Sequence, residues 1–345
     1  MSAHRVTFVL LALAVLLAVP APALPQEATP AGARPAGPGQ PASGPGGTDY
    51  VFAAVRVTSL GDEPGGGRVF EPMAAAGGGT PTPAGPLPLV LLIDGCCYRA
   101  EGSTVNGGGG DGGQGFQAWI EHLVRRGAIV VYPAYGSSTP QADIAAAMRA
   151  ALTALATEGH AQPDPARTAV IGFSFGGPLA ADYAAAAGAA GLPVPQALLV
   201  YGPSRVYPAP QRATPPSTMR ALVVIGDNDP GAGPGAKAIW AWLAPLPVDQ
   251  RNVVTLVSDD HGEPTLIAVH FVPLTNSRPP NPVVSLDALD WYGTWKLTDA
   301  LMACAFAGAW CEYAFGNIPE QRFMGIWSDG VPVKELVVTD DTATP

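Results

Sequence analysis

Gly172-Phe173-Ser174-Phe175-Gly176 is the segment in which residue types and spacing best suit covalent chemistry. An apolar run over 167–173 reads as a strand, and the Ala-rich run over 178–187 reads as a helix. A serine between them sits on a sharp strand-to-helix turn. The flanking glycines suit such a turn, because a Cβ at those positions would clash with the strained backbone. The turn pushes the hydroxyl out at the top of a sheet. A serine nucleophile needs a base, and the base needs an orienting carboxylate. The apolar run over 221–225 ends in Gly226-Asp227-Asn228-Asp229-Pro230, which sets two carboxylates at a strand's carboxyl end. Asp229, one step deeper into the loop, is the expected acid, with Asp227 capping the turn. Asp-Asn-Asp-Pro is also good turn chemistry in its own right.

The base must be one of five histidines. His4 lies at the extreme N-terminus, His122 within a helical segment, and His160 before a strand's amino end. His261 follows the strand expected over 252–257 directly, in Ser258-Asp259-Asp260-His261-Gly262, and is the expected base. His270 is the next candidate. Acyl transfer also needs backbone N–H groups aimed at the developing oxyanion. One is expected from Phe175, straight after the serine. The other is expected from Cys96, in the loop Asp94-Gly95-Cys96-Cys97. The two cysteines are nucleophile candidates by type, but beside a serine-centred turn they are better read as donor-loop or disulfide residues.

These residues require a particular scaffold. Residues 50–58 and 68–73 read as a leading hairpin across a Gly-rich turn. Residues 87–93 and 128–132 are continuous apolar runs, as in strands buried on both faces. With 167–173, 196–201, 221–225 and 252–257 they make eight strands. Helical spacing or composition over 116–126, 143–155, 178–187 and 239–243 fills the connections. Strands alternating with helices predict a mostly parallel sheet with helices on both faces. Ligand sites in such sheets lie at the strands' carboxyl ends. The connection 202–220 is short and Pro-rich, so no helical cap is expected and the cleft should be open. The Gly-rich loop 106–115 and Tyr98 border the expected oxyanion loop. Aromatic residues over 291–313 suggest a helical pair in a C-terminal extension.

The N-terminus reads as an export signal over 1–23. His4 and Arg5 precede an apolar run over 6–19, shorter than the about 20 residues of a membrane span. Pro20 and Ala21-Pro22-Ala23 then resemble a cleavage site. Residues 24–48, nearly all Pro, Ala and Gly, read as a flexible spacer, with the folded domain over 49–345. A secreted or extracytoplasmic product with no stable membrane anchor is expected. That destination permits disulfides. Four cysteines allow three pairings. Cys304 and Cys311 on one straight helix would be ~10.5 Å apart along its axis, beyond the ~7 Å that a disulfide spans. Gly308 between them could break the helix, which favours that pair. The chain carries a net charge of −10 and no basic run, which argues against nucleic acid as a partner. No cluster has zinc-like spacing, so neither metal nor cofactor is expected, and the protein is expected to act as a monomer.

Gly172-Phe173-Ser174-Phe175-Gly176-Gly177 resembles the nucleophile turn of α/β-hydrolase fold serine hydrolases. Among them it is similar to that of secreted cutinase-like polyester hydrolases and platelet-activating-factor acetylhydrolases. The order Ser174, Asp229, His261 matches the triad order of that fold. The resemblance implies an eight-stranded, mostly parallel sheet and hydrolysis of a small or polymeric carboxylic ester through an acyl-serine. Two departures stand out. The oxyanion loop opens with Asp94-Gly95 where the family usually has His-Gly, and Phe173 stands where His or Tyr is frequent. A peptidase or amidase on the same fold, or a non-catalytic binding protein, would share much of this pattern.

Overall fold

The computed structural model describes residues 34–73, 85–95, 106–107 (backbone only), 114–204, 212–275 and 285–339. The expected signal, the first part of the expected spacer, Cys96, Cys97, Tyr98, most of the Gly-rich loop and residues 205–211 of the expected cap-free connection lie outside the described residues.

The chain has the α/β hydrolase fold. It opens with β1 (Ala54–Gly61) and β2 (Gly67–Met73), an antiparallel hairpin. The central strands are β3 (Leu87–Ile93), β5 (Ile129–Tyr135), β6 (Pro163–Phe173), β7 (Ala197–Tyr201), β8 (Arg220–Gly226) and β9 (Arg251–Leu256). Two short strands add to the eight expected from sequence: β4 (Asn106–Gly107) on β5, and β10 (Val337–Thr339) antiparallel on β9. The order is β1-β2-β5-β3-β6-β7-β8-β9-β10, parallel from β5 through β9.

Alternation along each strand divides the core in two. Val90 and Leu92 pack on one face with Trp119, Ile120 and Leu123 of α1 (Gln117–Arg125) and Leu297 and Leu301 of α5 (Lys296–Ala307). Leu89, Leu91 and Ile93 pack on the other face. Their partners there are α2 (Pro140–Leu155), α3 (Gly176–Ala186) and α4 (Gly233–Trp242). Period-2 side-chain direction lets one continuous apolar run serve both layers.

The C-terminal extension packs on the first of these cores. A π-helical turn (Leu289–Trp295) leads directly into α5, and α6 (Cys311–Ala314) and α7 (Pro319–Arg322) follow. Gly308, at φ +65°, ends α5 in a left-handed cap, a conformation glycine adopts without strain. The chain turns back there, and Cys304 and Cys311 meet in a disulfide with Cα atoms 4.7 Å apart.

Residues 34–48 depart from the spacer expected from sequence. They lie along the extension and the loop after β9, held mainly by backbone groups. The Gly37 N–H donates to the Glu263 carbonyl at 3.2 Å and Glu263 donates back to Pro35 at 2.8 Å. The Pro38 carbonyl accepts the Trp291 indole N–H at 3.2 Å. Gly46 donates to the buried Asp299 at 2.8 Å, and Asp299 also takes His122 Nε2 at 2.9 Å. A Cβ on Gly46 would fall 2.0 Å from the Trp291 carbonyl. Binding of this kind uses backbone atoms and aromatic surfaces, so it leaves no apolar periodicity in the sequence.

The start of the extension holds an acidic pair. Asp290 is 1% exposed, and its Oδ1 has no hydrogen-bond partner among the described residues. Burial, and then the charge of Asp287, push its carboxyl well above the usual carboxylate range. Burial also pushes Asp287 up to about 6. Because the folded-state values are raised, the pair favours folding most below the unfolded-state value of 3.8; the share of Asp287 is lost as pH rises through about 6, and that of Asp290 as pH rises through its own raised value. Asp290→Asn removes one buried ionisation, the one that the charge of Asp287 opposes. The melting temperature of Asp290→Asn, relative to wild type, is therefore expected to fall steadily between pH 7 and pH 4. A constant difference across that range would contradict the assignment, and thermal melts at several pH values measure it.

Candidate active site

Ser174 stands between β6 and α3 with φ +53°. For a residue with a Cβ this is strained backbone, tolerated where the surroundings over-determine it. Three hydrogen bonds fix it. The Ser174 N–H donates to the Tyr201 carbonyl at 3.0 Å, and its carbonyl accepts from Gly177 at 3.0 Å and Ser204 at 2.9 Å. The flanking glycines are steric necessities. A Cβ on Gly172 would meet the Gly176 carbonyl oxygen at 2.4 Å, and one on Gly176 would meet the Ile93 carbonyl oxygen at 2.1 Å. The Gly-x-Ser-x-Gly spacing is thus the requirement of a helix that starts hard against the end of β3.

Asp229 lies in the loop after β8 and is 9% exposed. Its N–H returns to the Gly226 carbonyl at 3.1 Å, and its carbonyl accepts from Ala232 at 3.2 Å. Asp227 faces elsewhere: its carboxylate accepts the Ser258 N–H at 2.9 Å and the Ser258 hydroxyl.

The structure does not bring His261 to the serine. Its Nε2 lies 2.8 Å from Asp329, in a pair that is 36% and 41% exposed. That hydrogen bond, before other causes, holds the Asp329 carboxyl below its usual value. His270 takes the position instead. Its Nε2 is 2.9 Å from Ser174 Oγ, and its Nδ1 is 2.6 Å from Asp229 Oδ2. The reason is the path of the chain after β9. Asp259 and Leu266 exchange a pair of 2.9 Å backbone bonds, so residues 259–266 close an outward excursion that carries His261 away. Asp259 is buried at its base, accepting the Trp327 indole N–H at 3.1 Å and the Lys334 N–H at 3.0 Å. The chain then returns past Gly226, where a Cβ would fall 2.0 Å from the Ala268 carbonyl oxygen, and delivers His270. The apolar Leu266-Ile267-Ala268-Val269 run before His270 was the available signal: a loop that must bury such residues comes back to the core.

His270 keeps 26% of its side chain exposed and Asp229 only 6%. The imidazole packs against Phe173, with centroids 4.9 Å apart, and edge-on to Phe271 at 5.2 Å. Gly202, at φ +52°, makes room for the pair: a Cβ there would stand 2.9 Å from both Asp229 Oδ2 and His270 Nδ1.

The oxyanion side is partly described. Phe175 occupies the N-cap of α3, at the positive end of that helix's dipole. The turn after β3 lies against the serine, since a Cβ on Gly95 would be 2.7 Å from Ser174 Cβ. Asp94, buried there, accepts the Tyr132 hydroxyl at 2.9 Å, and its carbonyl accepts the Tyr135 hydroxyl at 2.6 Å. Among the described residues no group of three or more His, Cys, Asp or Glu side chains could hold a metal ion. None of the described helices is long and apolar enough to cross a membrane.

A serine hydroxyl, an imidazole and a carboxylate in hydrogen-bonded sequence can transfer a proton from the hydroxyl as it attacks an acyl carbon. Comparison with known families agrees with the class of chemistry. A family model described as alpha/beta hydrolase fold matches residues 108–269, a span that holds Ser174 and Asp229 and stops one residue before His270. No curated protein matches the chain. The family match implies a hydrolase, of a kind that often includes esterases and lipases.

Proposed function

We propose that this protein is an exported serine hydrolase that cleaves carboxylic esters through an acyl-serine intermediate. The observation that carries the reading is the relay Ser174–His270–Asp229, with contacts of 2.9 and 2.6 Å, on a serine held at φ +53°. In this reading Ser174 Oγ attacks the ester carbonyl while His270 Nε2 accepts its proton. Asp229 holds the other ring nitrogen and stabilises the imidazolium. The Phe175 N–H, together with an amide of the turn after Gly95, for which Cys96 remains the proposed donor, stabilises the oxyanion. His270 then protonates the departing alcohol, and water enters by the same route in reverse to release the acid. Likeness of the nucleophile turn to that of cutinase-like polyester hydrolases and platelet-activating-factor acetylhydrolases supports esters with short acyl groups or polyester chains. Export is supported by the N-terminal charged and apolar pattern and by the Cys304–Cys311 disulfide.

The reading is tested with p-nitrophenyl acetate, butyrate and palmitate beside peptide anilides. Turnover of the shorter esters with negligible anilide cleavage is expected. A fluorophosphonate should label the protein at one site, and peptide mapping should place that label on Ser174. Anilide cleavage at rates comparable with the esters would move the protein to the amidases. Absence of both turnover and label would leave a binding protein on this fold.

A further inference from the structure

Tyr201 closes β7, is fully buried, and is bonded to the segments carrying both the serine and the histidine. Its carbonyl accepts the Ser174 N–H at 3.0 Å. Its hydroxyl donates to the carbonyl of Val269, the residue before His270, also at 3.0 Å. That carbonyl has a second, longer partner, the Val272 N–H at 3.4 Å. The Tyr201 ring lies nearly parallel to Phe173, at 6.2 Å and 28°, and Phe173 in turn packs on the imidazole. The next residue, Gly202, is the one that leaves space for the Asp229–His270 pair. The end of a rigid central strand thus gauges a base that arrives on a long loop. Resting on the triad reading above, we propose that the Tyr201 hydroxyl is a positioning group that sets the distance and angle of His270 to Ser174.

The physical argument is one of leverage. Residues 257–275 reach the site from β9 through the 259–266 excursion, so β9 alone does not place His270. A proton transfer needs heavy atoms within hydrogen-bond reach in a defined direction, and a displacement of about 1 Å costs on the order of a hundredfold. The phenol is suited to a permanent donor role. Burial, and then the charge of Asp229, raise its pKa well above 10.0, so it keeps its proton throughout the working range.

Tyr201→Phe removes the one hydroxyl and keeps the ring. Wild type, Tyr201→Phe and Ser174→Ala are compared on p-nitrophenyl butyrate, with active sites counted by a fluorophosphonate taken to completion. Only folded sites titrate, so a loss of folded protein lowers the count and leaves turnover per site unchanged. A drop of about ten- to a hundredfold in kcat per titrated site, with KM within about twofold of wild type, is expected. If kcat per site in Tyr201→Phe stays within about twofold of wild type while Ser174→Ala is inactive, the positioning role is overturned and the triad stands. If Ser174→Ala remains active, the triad reading falls and this inference with it.

Discussion

Ester hydrolysis is expected to fall by about a thousandfold or more in Ser174→Ala and in His270→Ala, and to stay within about twofold of wild type in His261→Ala. The two histidines are the informative pair, because both lie in the long connection after β9 and both have an aspartate partner. His270 stands 2.9 Å from Ser174 Oγ, whereas His261 is bonded to Asp329 at 2.8 Å in an exposed pair. Without His270 the serine has no base to take its proton, and residual rate would come from binding and oxyanion stabilisation alone. The His261–Asp329 pair is solvent-exposed, and exposed pairs contribute little to stability, so its loss should appear as at most a small change in melting temperature. Steady-state kinetics on p-nitrophenyl butyrate, with fluorophosphonate labelling in parallel, measures both. His270→Ala should also label far more slowly, since phosphonylation needs the same base. Full activity in His270→Ala, or inactivity in folded His261→Ala, would reverse the assignment.

Two parts of this site differ in how far sequence could reveal them. Ser174 announces itself because everything that shapes its turn is local. The glycines at 172 and 176 are required by contacts of 2.4 Å or less that any Cβ would make with the backbone of the same turn and of β3. Asp229 is nearly as local, a strand end followed by a turn. The histidine depends on where a loop goes, and that is decided by distant partners: Asp259 takes donors from Trp327 and Lys334, and Ala268 packs into the space left by Gly226. Reading the first histidine after the strand as the base assumes a short loop, and the 259–266 excursion breaks that assumption. Residues 34–48 were opaque for a different reason. Periodicity reports side chains buried on a regular element, whereas this segment binds mainly through carbonyls and N–H groups, such as the Pro38 carbonyl on the Trp291 indole and the Gly37 N–H on the Glu263 carbonyl. The central strands were legible one by one, because burial on both faces writes continuous apolar runs. The short β4 and β10 add only two and three residues, too few for a pattern.

Asp229→Asn is expected to lower kcat by about a thousandfold to ten thousandfold with the fold intact, and Asp227→Asn by less than about tenfold. Asp229 is 9% exposed and bonds His270 Nδ1 at 2.6 Å. An ionised carboxylate can only accept, so it requires a proton on Nδ1 and leaves Nε2 as the acceptor facing Ser174. An asparagine can instead present its amide N–H₂ to Nδ1. That selects the opposite tautomer, with the proton on Nε2, where it cannot receive the serine's. It also removes the negative charge that stabilises the imidazolium. Asp227 contributes differently. Its carboxylate caps the Ser258 N–H at 2.9 Å and takes the Ser258 hydroxyl, tying the loops after β8 and β9 together. An asparagine oxygen still accepts one of these bonds, so the cost should fall on stability, at about 1 kcal/mol, rather than on chemistry. Measuring kcat per titrated site for both variants separates the roles. The pattern depends on position: the two carboxylates are separated only by Asn228, yet one faces the imidazole and the other the loop beside it. A loss in Asp227→Asn equal to that in Asp229→Asn would mean that the chemistry depends on the loop pair as a unit and would refute Asp229 as the single orienting acid.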